Sequence, residues 1–256
     1  VTKHTATNFV FAITVLGLLL LSARQHVSFS WYLLVLLLYI LVTGLGSYFI
    51  ELNFYTHSYC KGSGAKHAIS LTFDDGPNEH TEQILDILKE QQTPATFFCI
   101  CKNIKGNEAI IKRINNEGHL IGTHSFYHRW GFPLQSWKKI AAEITDSQKL
   151  LSSIIHKKPL LFRPPFGVTD PPIAKAIKQT KVTSIGWSVR SYDTVISSPN
   201  KLLERISRVK NGDIILFHDA GLQTKNILPK FIKHIRSQGF EIVPLDQLSG
   251  ITAYEI

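Results

Sequence analysis

The sequence predicts an α/β domain built on a mainly parallel sheet, placed behind a pair of apolar helices. Three observations carry this reading. The 256 residues have a net charge of +9, yet residues 1–60 hold only Lys3, Arg24 and Glu51 among Lys, Arg, Asp and Glu; an oily front therefore precedes a basic, globular back. From Ala68 onward short apolar runs alternate with stretches of helical periodicity, giving about seven strand–helix units, the pattern of a parallel sheet with helices outside. Clusters of polar, chemically capable residues follow directly after the apolar runs, which is where α/β enzymes place their chemistry. At this level both a barrel and an open sheet are allowed.

The front contains two apolar runs. The first, Asn8 to Ser22, is about 22 Å long as a helix, short for a bilayer core of about 30 Å unless it extends over Thr5 to Ala23. The second, Trp31 to Ile50, carries no charge and has the length of a span. Trp31, Tyr32, Tyr48 and Tyr55 lie near its ends, as interfacial aromatics do. A cleaved signal peptide fits poorly, because the second run is too long for a signal core and no small-x-small site follows closely. A buried hairpin in a soluble protein would need a polar face that neither run has. Residues 1–55 are therefore expected to be a membrane anchor with two transmembrane helices in contact with the lipid bilayer. Arg24 and His26 in the turn are balanced by Lys3, Lys61 and Lys66 on the other side, so the positive-inside rule leaves orientation open. Residues 56–66 (THSYCKGSGAK) read as a linker, and 67–256 as the catalytic domain.

Within that domain the strands are expected at Ala68–Phe73, Ala95–Ile100, His119–Gly122, Leu160–Phe162, Val182–Trp187, Asp213–Phe217 and Phe240–Pro244. The intervening helices are Glu79–Gln92, with an apolar stripe of Ile84, Leu85, Ile87 and Leu88; Asn107–Glu117, stopped by Gly118; Ser136–Ile155; Asp170–Gln179, with two prolines in its first turn; Asn200–Val209; and Thr224–Gln238. Three cysteines do not make a disulfide framework. Cys99 and Cys101 read as buried apolar side chains two apart in one strand. The basic balance suits anionic lipid or an acidic polymer, but it lacks the dense basic and aromatic interleaving of a nucleic-acid binder.

Four segments carry chemistry. Thr72-Phe73-Asp74-Asp75-Gly76-Pro77 ends the first strand. Adjacent carboxylates repel unless a cation or a division of roles separates them: one can ligate a metal while the other acts as base. Asp-Gly-Pro is also ordinary turn chemistry. His124-Ser125-Phe126-Tyr127-His128 follows the third strand; a helix or a tight loop could bring its imidazoles together, and with one carboxylate they form a His₂Asp set that leaves positions open for water and substrate. In Phe162-Arg163-Pro164-Pro165-Phe166-Gly167 two prolines stiffen the turn, the N–H of Phe166 or Gly167 could stabilise an oxyanion, and Arg163 could orient a carboxylate. Ile214-Ile215-Leu216-Phe217-His218-Asp219 delivers His218 to the same end of the sheet, where an imidazole could protonate a leaving amine.

Together these segments resemble the NodB-homology polysaccharide deacetylases, carbohydrate esterase family 4, over roughly residues 66–248, with the motifs in the family's order. The resemblance implies an irregular (β/α)₇ barrel and metal-dependent removal of N-acetyl groups from a polysaccharide containing N-acetylglucosamine. It implies Asp74 as base, Asp75, His124 and His128 as ligands of a divalent ion (zinc, or cobalt or nickel), and Arg163 as support for the base. It further implies the Phe166 backbone as oxyanion donor, Leu216 as part of the acetyl-methyl pocket, and His218 as catalytic acid. Membrane-anchored, such an enzyme is expected at a bacterial inner membrane with its catalytic domain extracytoplasmic, acting on peptidoglycan or another envelope glycan.

One segment departs from the family pattern, Asp-x-x-Asp-Trp. Here Trp187-Ser188-Val189-Arg190-Ser191-Tyr192-Asp193-Thr194 has Arg190 where the first aspartate is expected and Thr194 in place of the tryptophan. A cation beside His218 would depress its pKa. Asp193 or Asp219 could replace the missing aspartate, or Arg190 could contact an anionic substrate, and Trp130, Trp137 and Trp187 remain as sugar-stacking surfaces. The alternatives are an O-acetyl esterase, or a carbohydrate-binding protein whose catalysis Arg190 has weakened.

Overall fold

Two twenty-residue helices open the chain because nothing in their largely apolar sequences breaks a helix. The structure, a computed structural model, describes residues 2–63 and 67–255. Helices α1 (Lys3–Ser22) and α2 (Phe29–Tyr48) are 20 residues each, about 30 Å long and enough to cross a bilayer core. Their apolar side chains point outward along most of their length. The first helix begins before its apolar run, because Thr2 caps it and Lys3 anchors on Leu52 O (2.7 Å). The base of the hairpin is tied to the rest of the chain: Phe54 packs against Gly46, and Thr169 N–H donates to Ser47 O (3.1 Å).

The main body alternates strand and helix in the expected order. Strands β1 (Ser58–Tyr59) and β2 (Ala68–Asp74) are followed by α3 (Glu79–Glu90), β3 (Thr96–Cys99), α4 (Glu108–Asn116), β4 (Leu120–Thr123) and α5 (Trp137–Ile155). Next come β5 (Lys158–Pro159), β6 (Leu161–Phe162), α6 (Pro171–Thr180), β7 (Thr183–Ile185), β8 (Val189–Arg190) and α7 (Pro199–Ile206). The chain ends with β9 (Ile214–His218), α8 (Leu222–Ser237), β10 (Glu241–Ile242), α9 (Leu245–Ser249) and β11 (Tyr254–Glu255). Local chemistry sets the helix starts. Asn78 and Thr81 form a reciprocal capping box on α3, and Asp170 Oδ1 accepts from Ile173 N–H (2.7 Å) ahead of the two prolines of α6.

Among the described residues β1, β7, β6, β4, β3, β2, β9 and β8 form one curled parallel sheet in that order, with β10 added beside β2. Side-chain alternation sorts its two faces. Ile69, Leu71 and Phe73 of β2 and Ile215 and Phe217 of β9 pack under the helices, with Phe73 stacked between Phe97 (5.1 Å) and Phe217 (5.6 Å). The alternate positions of the same strands, among them Thr72, Asp74, Leu216 and His218, belong to the concave face.

The sheet curls into an irregular half-barrel, in line with the irregular (β/α)₇ barrel expected, and among the described residues its end strands β1 and β8 do not pair. Instead the chain itself crosses the seam after β7, where Gly186 N–H donates to Tyr59 O (3.0 Å) and Ser188 N–H to Ile214 O (3.1 Å). The strand expected at Val182–Trp187 is β7 (Thr183–Ile185), and a further short strand, β8 (Val189–Arg190), follows it on the other side of the seam. The stretch 56–66 contains an edge strand, β1, and Gly62 N–H donates to Gly212 O (2.8 Å); its residues 64–66 lie outside the described residues. Cys99 ends β3 while Cys101 begins a 3₁₀ turn, yet both are buried in the same core, free of disulfides.

Candidate active site

Parallel pairing of β2 with β9 makes Asp74 and His218 register partners at the strand ends. The next residue, Asp75, turns away from the strand with φ 77°, so the two carboxylates of the pair no longer alternate across a sheet and both reach the cleft. Asn103 Nδ2 holds the Asp75 carbonyl (2.9 Å). The His124–His128 segment is a loop, not a helix: Ser125 (φ 61°) and His128 (φ 50°) are left-handed, and His128 N–H donates to Ser125 Oγ (2.9 Å). With Phe166 (φ 61°) and Tyr192 (φ 61°), backbone strain gathers in the loops around one cleft, as it does at functional sites.

Asp75, His124 and His128 each aim one ligand atom at a common point, all within 4.8 Å of one another. Asp75 Oδ1 lies 3.6 Å from His124 Nε2 and 3.7 Å from His128 Nε2. That oxygen is buried with no hydrogen-bond partner among the described residues, a costly state that a cation relieves. His124 Nδ1 lies 2.8 Å from Arg163 O, an arrangement in which Nδ1–H donates and Nε2 keeps its lone pair for a metal. Burial, then the neighbouring His128, pushes the His124 pKa down to about 3, so its ring is neutral at physiological pH. The three residues thus form a divalent-metal-binding triad.

Asp74 sits beside the triad, with Oδ2 at 3.8 Å from His124 Nε2. Its other oxygen accepts from Arg163 Nη1 (2.8 Å). Arg163 is fully buried and also donates to Thr72 Oγ1 (2.8 Å), Gly186 O (2.8 Å) and, more weakly, Ile185 O (3.4 Å). Burial raises the Asp74 pKa, and the Arg163 charge and hydrogen bond oppose that rise without reversing it. Arg163 also lies over the Phe98 ring (4.1 Å).

His218 receives its partner from Asp193, whose Oδ1 lies 2.8 Å from Nδ1. The other oxygen of Asp193 accepts from His218 N–H (2.7 Å) and Thr224 Oγ1 (2.5 Å). Burial lowers the His218 pKa, but the Asp193 hydrogen bond and charge outweigh it and the net shift is upward. Of the alternatives the sequence left open, the geometry has Asp193 beside His218, while Arg190 stands on β8 against Trp187 (5.7 Å) and Tyr192 (4.9 Å). Asp219 is not the partner either. It is buried under α3, accepts from Thr81 Oγ1 (2.6 Å) and Asn78 Nδ2 (3.2 Å), and has its pKa pushed up to about 7 by burial.

Of the two candidate oxyanion donors, Gly167 N–H is engaged by Pro164 O (3.0 Å), which leaves that of Phe166. Gly167 has φ 69°, and a Cβ there would run into the Trp187 ring. The Phe166 ring lies against His128 (4.7 Å) and stacks on Trp130 (4.8 Å, 11°), which is 87% exposed. Leu216 is buried beside Thr72. Trp137 lies on α5 against Lys175 of α6 (4.3 Å), with no described contact to the cleft. Sequence reasoning missed Asn103 and Thr224, which sit in no motif, and gave no role to Thr72, whose contact with Arg163 joins residues far apart in the chain.

The comparisons with known proteins agree with this geometry. Residues 61–185 match the family model described as polysaccharide deacetylase. A peptidoglycan-N-acetylglucosamine deacetylase of Bacillus cereus is 33% identical over 187 residues, covering 70% of this chain and 87% of the relative. The chain belongs to the polysaccharide deacetylase family. As a polysaccharide deacetylase it superposes on the crystal structure of the Bc1960 peptidoglycan N-acetylglucosamine deacetylase with a TM-score of 0.71 at 28% identity, covering 77% of this chain and 94% of that one. It also resembles BA3943 from Bacillus anthracis, described as a family pseudoenzyme, with a TM-score of 0.69 at 26% identity, covering 74% of this chain and 67% of the other. Family membership alone therefore does not decide turnover; the arrangement of the residues does.

Proposed function

We propose that this chain is a metal-dependent deacetylase that removes N-acetyl groups from an envelope glycan containing N-acetylglucosamine, peptidoglycan above all, releasing acetate and a free amino sugar. One observation carries the reading: a His₂Asp metal set, an Arg163-paired Asp74 and an Asp193-paired His218 face one cleft. A divalent cation held by Asp75, His124 and His128 would polarise the acetamide carbonyl and acidify water. The donor set suits zinc, with cobalt or nickel able to substitute.

The protein's own residues supply the remaining roles. Asp74 has Oδ1 engaged by Arg163, so Oδ2 is the atom that takes a proton from the attacking water. The Phe166 N–H donates to the developing oxyanion. As the new carbon–oxygen bond forms and the carbon–nitrogen bond breaks, His218 delivers a proton from Nε2 to the departing nitrogen, Nδ1 being held by Asp193. Leu216 walls the space for the acetyl methyl, and Trp187 and Trp130 offer faces for sugar rings.

The hairpin completes the reading. Residues 1–55 form a two-helix membrane anchor and 67–256 the catalytic domain, placed on the extracytoplasmic side of a bacterial inner membrane. Two helices of sufficient length and apolarity support this, as does the likeness to the peptidoglycan-N-acetylglucosamine deacetylase of Bacillus cereus. A weakened, binding-only protein loses its motive once Asp193, rather than Arg190, faces His218. The test is incubation of the zinc-loaded full chain with peptidoglycan and N-acetylchito-oligosaccharides, measuring acetate. Stoichiometric zinc and saccharide binding without acetate release would overturn the assignment.

A further inference from the structure

A pocket of about 250 Å³ opens at the seam of the curled sheet. One wall is the turn that follows α2, through Ile50 and Glu51; the other carries Phe166 and Trp187 from the active site together with Arg190, Tyr192 and Arg205. The pocket is thus continuous with the cleft and lies at the foot of the hairpin. Its two arginines hold an unusual position. Arg190 and Arg205 both lie over the Tyr192 ring, at 4.9 and 4.4 Å, and Tyr192 adopts a left-handed backbone (φ 61°) to present that ring. Arg205 Nε donates to Arg190 O (3.0 Å), so the pair is built, not accidental.

Two neighbouring guanidinium groups repel each other, and the ordinary remedy is a carboxylate between them. Among the described residues neither arginine has an ion-pair partner, and Arg190 Nε is buried without a hydrogen-bond acceptor. Glu51 lines the same pocket but pairs with neither, which leaves the lining cationic. Resting on the deacetylase reading, we propose that this pocket receives an oxyanion, carboxylate or phosphate, borne by the glycan beside the sugar being deacetylated. A carboxylate would come from the glycan chain itself. A phosphate would come from a sugar linked to a lipid carrier, which the position at the foot of the hairpin suits.

The test uses the full chain in detergent micelles, loaded with zinc, and three oligosaccharides of equal length: neutral N-acetylchito-oligosaccharide, the same with a phosphate on the reducing end, and one with lactyl ether carboxylates. At low salt, kcat/KM for one anionic glycan is expected to exceed that for the neutral one by about tenfold, the scale of a charge-assisted contact. The preferred anion identifies the source. The preference should fall with added salt, fall in Arg205→Gln, and be partly kept in Arg205→Lys. Equal handling of all three glycans, or a preference that survives Arg190→Gln/Arg205→Gln, would overturn the proposal. Equilibrium binding of the same glycans, followed by tryptophan fluorescence, separates the two readings. Arg205-dependent tighter binding of an anionic glycan without acetate release would sink the deacetylase function and sustain the pocket; acetate release with equal binding of all three would do the reverse.

Discussion

His218 Nδ1 lies 2.8 Å from Asp193 Oδ1, so the imidazole is held by the carboxylate at the second aspartate position of the Asp-x-x-Asp-Trp pattern, three residues beyond Arg190. The same Asp193 also accepts from the His218 N–H and the Thr224 hydroxyl, which ties it to two elements at once. The charge that raises the His218 pKa survives although Arg190 occupies the expected position.

Replacing Asp193 by Asn tests this. The raised His218 pKa keeps the imidazole protonated to higher pH; removing the Asp193 charge lowers it, so the alkaline limb of the kcat/KM profile should move to lower pH. Loss of effective general acid should cost about 10²–10⁴-fold in kcat. The ion pair's contribution to stability has two limits. It fades on acidification as Asp193, whose pKa is lowered, becomes protonated, and it fades as pH rises through the His218 value. A pH–rate profile of Asp193→Asn that superposes on the wild type would refute the pairing.

Arg163 and Asp74 form a fully buried ion pair at 2.8 Å. Arg163→Ala should destabilise the protein by about 3–5 kcal/mol, because it strands Asp74 in a site that disfavours its charge. Arg163→Lys should rescue little, since an ammonium cannot reach Thr72, Asp74 and Gly186 from one rigid fork. Denaturant unfolding compared across the two variants checks both statements.

Asp75→Ala removes the oxygen shared by both imidazoles. Bound zinc, measured by elemental analysis after dialysis, should fall from stoichiometric to trace, and activity with it. Chelation of the wild type should abolish acetate release and zinc should restore it. Full metal content in the variant would remove Asp75 from the ligand set.

Gly167→Ala places a Cβ against the Trp187 ring at a left-handed φ. The expected cost is about 1–3 kcal/mol from strain alone, and a larger loss of kcat than of stability, because Phe166 is displaced with it. A thermal melt and initial rates on one preparation separate the two effects.

Much of the site was legible in the sequence because its parts are local. Asp74-Asp75, His124 to His128 and Arg163 to Gly167 each follow an apolar strand, and parallel strands deliver their ends to one side of a sheet. The loop that joins His124 to His128 was not legible as a loop: its geometry comes from left-handed Ser125 and His128, a region that non-glycine residues enter only uncommonly.

By itself the sequence determined the order of strands and helices, the apolar pair at the front, and which residue types stand at the strand ends, since all three follow from composition and short-range periodicity. Tertiary structure alone decided that the sheet curls without closing, that Asp193 rather than Asp219 or Arg190 faces His218, and that Arg205 joins Arg190 over Tyr192. Each of those outcomes couples segments that no local pattern links: hydrogen bonding and charge act through space, and a few ångströms of register, set by packing of the whole sheet, decide which of several nearby side chains makes the contact.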